Sequence, residues 1–219
     1  MTRKILIATC LLSGSLFAQQ PPTPKTMTKM EVVLQSPDAP AGSFAAQPKV
    51  MYRAGTQYCR TEEALDADRG IHGVAVINEP DFWLVNLVDH TARHAVDPGP
   101  TFNCRFPVFS GRAIKLPEDQ GKQIMELEFG DEIPFFKKAG ATPKPGPVLQ
   151  TKQTTIYQTK IGDVTLALFT YGEPERPLAV VWTRGDEHDI YWYSGYGQVA
   201  FDPKLFAKPE NVKIEDPKP

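Results

Sequence analysis

KVMYRAGTQYCRTEE (residues 49–63) and GVAVINEPDFWLVNLVDHTARHAVDPGP (residues 73–100) decide the fold class. In the first stretch two runs, 49–53 and 57–62, flank Ala54-Gly55, where glycine can take positive φ without a Cβ clash. In the second, 73–77 and 82–88 flank Asn78-Glu79-Pro80-Asp81, a turn by composition. Asp89-His90-Thr91 turns the chain again into 92–96, and Asp97-Pro98-Gly99-Pro100 ends the run. Short strands at this spacing, joined by hairpin signals, predict an antiparallel meander rather than a parallel sheet.

Working outward, Thr28, Met30, Val32 and Leu34 alternate with Lys29, Glu31, Val33 and Gln35 and predict a first strand with one face toward a core. Residues 36–48, rich in Pro, Ala and Gly, read as a long loop. Residues 102–109 read as one more strand, placed by Pro107 at an edge or a bulge. The pattern then changes. Residues 117–129 (PEDQGKQIMELEF) and 131–139 (DEIPFFKKA) carry acids early and apolar residues at helical spacing, and Lys137 and Lys138 suit a helix end before Gly140. One or two short helices are expected there, then a loop over 140–147. The last third returns to strands at 154–160, 164–171, 178–184 and 189–193, with a short helical turn at 204–206. The expectation is a mainly β (α+β) protein: one antiparallel domain over residues 26–214, with a frayed tail at 215–219.

The amino terminus speaks to location. Arg3 and Lys4 precede an uncharged apolar run, 5–17, and Ala18 is a small residue where a signal peptidase could cut. The run is too short for a lasting transmembrane helix. Residues 1–18 therefore read as a signal peptide and 19–25 (QQPPTPK) as a proline-rich tether, which makes the mature chain periplasmic or secreted. Ile7-Ala8-Thr9-Cys10 offers the alternative of a lipid anchor on Cys10. The first eighteen residues hold two of the 24 basic and none of the 26 acidic residues, leaving a formal charge of −4 on the mature chain. With no basic block, nucleic acid is not an expected partner.

Cys59 and Cys104 are the two remaining cysteines, and an exported pair favours one disulfide closing a long loop, about 3–4 kcal/mol in the loop-entropy picture. Two buried free thiols are the alternative. No catalytic or metal site is assigned, and no cofactor is expected. His90 and His94 stand four apart, but His90 occupies a turn and His94 shares parity with Ala92 and Val96, as a packed imidazole would. Asp186, Glu187, His188 and Asp189 crowd a hairpin tip and read as a solvated cluster. There is no GxSxG elbow, no GxGxxG and no phosphate loop.

Aromatic residues recur on the strands and on the helical stretch, from Phe82 and Trp83 to Trp192 and Tyr193. They fill a core, or a core that also encloses an apolar cavity. If helices close such a cavity, Phe135 and Phe136 would face Leu84, Leu166 and Trp182 across it.

The meander quoted above, together with LEFGDEIPFFKKAG and AFDPKLFAKPENVKI further on, resembles exported proteins of the LolA/LppX-like superfamily. That resemblance spans roughly residues 26–214. It implies a curved antiparallel sheet or half-barrel whose concave side is closed by helices, with a cavity that takes acyl chains. The functional expectation is an exported, non-enzymatic binding or carrier protein for an apolar ligand such as a lipid or acyl chain. Two alternatives stand beside it: an envelope protein-interaction module with a solid core, and a hydrolase using His188 or His94 with nearby acids.

Overall fold

A computed structural model describes residues 23–39, 43, 46–97, 99 and 103–215. The expected signal peptide with Cys10, the first part of the expected tether, Phe102 and residues 216–219 lie outside the described residues. Twelve strands form one open, curled sheet that does not close into a barrel. The first meander is β1 (Thr26–Gln35), β2 (Lys49–Ala54), β3 (Tyr58–Glu63), β4 (Gly73–Asn78), β5 (Asp81–Asn86) and β6 (Thr91–Val96). Helices α1 (Ser110–Ala113), α2 (Glu118–Ile124) and α3 (Glu132–Lys138) follow. The second meander is β7 (Lys144–Leu149), β8 (Lys152–Ile161), β9 (Val164–Tyr171), β10 (Arg176–Arg184) and β11 (Glu187–Ala200). A 3-10 turn (Pro203–Phe206) and the two-residue β12 (Lys213–Ile214) end the described chain.

The strand order is β12-β6-β5-β4-β3-β2-β1-β11-β10-β9-β8-β7, so the long antiparallel pair β1–β11 joins the two meanders. Every pairing is antiparallel except β12 with β6. Gly55 takes φ +60° in the β2–β3 hairpin, as the Ala54-Gly55 signal requires.

The two halves of the sheet bury opposite faces. Met30 pairs with Met51, and this face of β1 and β2 continues onto β8–β11 as Tyr157, Leu166, Leu168, Val180, Trp182 and Tyr193. Helices α2 and α3 lie over it against β8 and β9, adding Ile124, Leu127, Phe135 and Phe136 to the same cluster. Across β3–β6 the buried side chains, apart from Cys59, belong to the other face. Arg60 pairs with Val76, Val76 with Trp83 and Trp83 with His94, a row of the opposite parity to Met30. The 3-10 turn and the residues after it cover that row.

Three readings of the sequence are corrected. Residues 103–106 are irregular rather than a strand, and Pro107 makes only an isolated bridge to Glu128; the disulfide at Cys104 and the entry into α1 set the path of the chain here. Residues 117–139 hold two short helices, α2 and α3, as expected, and the four-residue α1 precedes them. The expected loop over 140–147 contains β7, an edge strand that tolerates Pro145 and Pro147 because its outer side needs no ladder donors. Strand β11 runs on through Gly195 and Gly197 to Ala200, held by β1.

Candidate functional site

The C-terminal segment builds a cleft with apolar lining over one face of the sheet. Asp202 accepts a hydrogen bond from the Lys204 amide at 2.9 Å and Pro203 presets the next backbone angle, which starts the 3-10 turn. The turn drives Phe206, 1% exposed, onto Tyr58 and against Phe201, with ring centroids 5.4 and 5.5 Å away. The chain then crosses β4 and β5 without regular structure. It rejoins the sheet at β12, where the Lys213 and Glu215 amides donate to the His90 and Ala92 carbonyls at 2.8 Å each. The aromatic anchor is broad and the second anchor is two hydrogen bonds plus a 3.9 Å contact between Arg93 and Glu215.

Between this strap and the sheet lies a cleft of about 530 Å³, open to solvent on one side. That volume falls within the range of about 300–1,000 Å³ typical of ligand pockets. Val74, Val76 and Val85 line it from the sheet and Val212 lines it from the strap. Arg60, Lys204 and Lys208 also border it. Arg60 is committed to Glu62 at 2.9 Å and reaches the Leu205 carbonyl at 3.4 Å. The Lys208 ammonium stands 5.5 Å from the Trp83 ring centroid, a cation–π distance. Among the described residues, neither Lys204 nor Lys208 forms an ion pair.

The residues expected to line a cavity fall into two places. Phe135, Phe136, Leu166 and Trp182 meet in the cluster under the helices, packed against one another. Leu84 does not join them. It pairs with Ala75, and Ala75 with Thr61 opposite Met51, so it shares the face of Met30. The helices do not extend that far, and Leu84 stands 45% exposed beside a second, polar-edged cleft.

One ionisable group, Glu132, is sealed beneath the helices. Gly130, at φ +86°, turns the chain into α3, and a Cβ there would stand 3.1 Å from the Met30 methyl. Its amide donates to Glu132 at 2.8 Å, and the Tyr193 hydroxyl donates to the same oxygen at 2.5 Å. Burial pushes the Glu132 carboxyl up to about 7, against those two hydrogen bonds and the nearby Arg53.

The histidines and acids singled out in the sequence are dispersed. His94 stacks on Trp83 at 3.9 Å and its Nε2 lies 2.6 Å from Asp81 Oδ1, the packed imidazole its parity predicts. His90 takes φ +56° in the turn. The acidic hairpin tip is corrected in part: Asp189 is buried and bound to Arg112, while Asp186, Glu187 and His188 remain exposed. Cys59 and Cys104 form a disulfide, which is consistent with an exported protein. Among the described residues no helix is long and apolar enough to cross a membrane.

The strap and its cleft were not legible in the sequence. The apolar spacing of Phe201, Leu205, Phe206 and Val212 was the available signal, since a solvated tail has no use for four apolar side chains.

No protein-family model and no curated protein matches the chain. Among solved structures, it is similar to an uncharacterized conserved protein from Thermus thermophilus, with 9% identity and a TM-score of 0.46 over 87% of this chain and 90% of that one. It is also similar to a LolA superfamily protein from Nitrosomonas europaea, with 11% identity and a TM-score of 0.35 over 85% of this chain and 91% of that one. At TM-scores this low, neither likeness carries an argument about what this chain does.

Proposed function

We propose that this is an exported, periplasmic or secreted binding or carrier protein for an apolar ligand, and that the ligand lies in the cleft between β3–β6 and the C-terminal strap. The observation that carries this reading is a cleft of ligand size, about 530 Å³, whose lining includes Val74, Val76, Val85, Leu87 and Val212. Val212 of the strap packs against the buried valines at the edge of the cleft, and the strap is anchored at Phe206 and at β12. The disulfide supports the exported location.

The test is saturable binding of the neutral dye N-phenyl-1-naphthylamine to delipidated mature protein. Ala207 is exposed and borders the cleft, so Ala207→Trp should fill it without disturbing the core. The expected result is one class of dye site in the parent protein, weakened at least tenfold in Ala207→Trp at an unchanged melting temperature. A folded parent that gives no saturable fluorescence rise would overturn the reading.

A further inference from the structure

The cleft is apolar on its sheet side but not neutral at its border. Arg60, Lys204, Lys208 and His90 line it against the single carboxylate of Glu210. Arg60 is partly neutralised by Glu62, whereas Lys204 and Lys208 carry no ion pair among the described residues. This local excess of positive charge sits on a chain whose formal net charge is −2. Long-range attraction by the whole protein therefore cannot deliver an anion, and any selection must act within the roughly 8 Å over which charges are felt at physiological salt.

Resting on the reading of the cleft as an apolar-ligand site, we infer that its occupant is a single-chain amphiphile with a carboxylate head, such as a free fatty acid. The chain lies along Val74, Val76, Val85 and Val212, and the head lies by Lys204 and Lys208. Two physical points select this chemistry. An aliphatic chain gains from covering Leu87, 39% exposed, and has no polar group to strand beside the buried valines. A carboxylate near two ammonium groups gains charge-assisted contacts that an alcohol of equal length cannot make in full. A single negative charge fits better than two, because Glu210 lines the same cleft and would repel a dianionic phosphate.

The experiment displaces N-phenyl-1-naphthylamine with dodecanoate, dodecanol, dodecylamine and dodecyl phosphate, each below its micellar concentration. Dodecanoate should compete at a concentration at least about tenfold lower than dodecanol, with dodecylamine weakest and dodecyl phosphate no better than dodecanoate. In the double variant Lys204→Glu, Lys208→Glu, the dye should still bind while the preference for dodecanoate over dodecanol disappears. Equal competition by acid, alcohol and amine, or a preference unchanged in the double variant, would overturn the anionic head while leaving the apolar site standing. Tighter binding of dodecyl phosphate than of dodecanoate would overturn the carboxylate. Failure of the dye itself to bind the folded parent would remove the apolar site and this inference with it.

Discussion

Arg112 holds Asp189 through two hydrogen bonds, Nε to Oδ2 at 2.6 Å and Nη2 to Oδ1 at 2.9 Å, and so fixes α1 to β11 across 77 residues of chain. The guanidinium also contacts Asp38 at 2.8 Å and Glu187 at 3.6 Å. Burial pushes the Asp189 carboxyl up, but the Arg112 contacts outweigh it and hold the group below its ordinary range. Removing the cation leaves a buried carboxylate without its partner. Arg112→Ala should therefore destabilise the fold by about 3–5 kcal/mol, read as a lowered urea midpoint. The double variant Arg112→Met, Asp189→Leu should recover much of the loss. A double variant as unstable as the single one would show that the pair does more than satisfy its own charges.

Glu132 makes a contribution to stability that falls as pH rises. Its folded-state value of about 7 lies above the ordinary 4.5, because burial disfavours the charged form. Between those values the folded protein holds a proton that the unfolded chain has released. The contribution is complete below pH 4.5 and is lost as pH rises through 7, by about 3 kcal/mol. Unfolding free energies measured from pH 4.5 to 8 should show that decline in the parent protein. Glu132→Gln, neutral throughout, should lack it. Parallel profiles for the two proteins would rule this out.

The disulfide offers a third measurement. Cys59 and Cys104 are both buried and lie 45 residues apart, a loop worth about 4 kcal/mol in the chain-entropy picture. Cys104 belongs to the irregular segment that leads into α1, and its amide bonds the Thr56 carbonyl at 2.7 Å. Replacing both cysteines with alanine should lower the urea midpoint by that order while leaving the dye-binding cleft intact, since the bond and the cleft lie on opposite faces of the sheet. An unchanged midpoint would mean that the segment is held by its backbone contacts alone.

Hairpins made the first meander legible in the sequence: each turn of residues 49–96 carries glycine, proline, asparagine or aspartate where the chain reverses. Strand β7 was hidden because prolines signal loops, and the end of β11 because its two glycines do. Met30, Val32 and Leu84 do share one parity, as alternation indicates. Which stretch of that face is covered is a different matter, because it depends on helices that enter the chain some 25 residues after Leu84. Leu166, Trp182, Phe135 and Phe136 were legible as apolar and mutually near. The cleft was not. Its lysines look like an ordinary charged tail until β12 carries the strap back to β6 and sets them over valines.

Phe136 separates the two places where an apolar ligand could lie. It is fully buried under α3, in one cluster with Phe135, Leu166 and Trp182, and its ring meets that of Phe135 edge-on at 5.4 Å. A side chain packed this way fills space, and its removal loses both transfer free energy and the contacts around the void. Phe136→Ala should cost about 3–5 kcal/mol, measured by urea unfolding, while Val180 and Leu168 nearby keep the remaining core together. The dye should bind this variant as it binds the parent, because the strap and its valines lie on the other face. Should Phe136→Ala unfold at the parent's midpoint and bind the dye more weakly, the space beneath the helices would be the ligand site and the cleft under the strap would not.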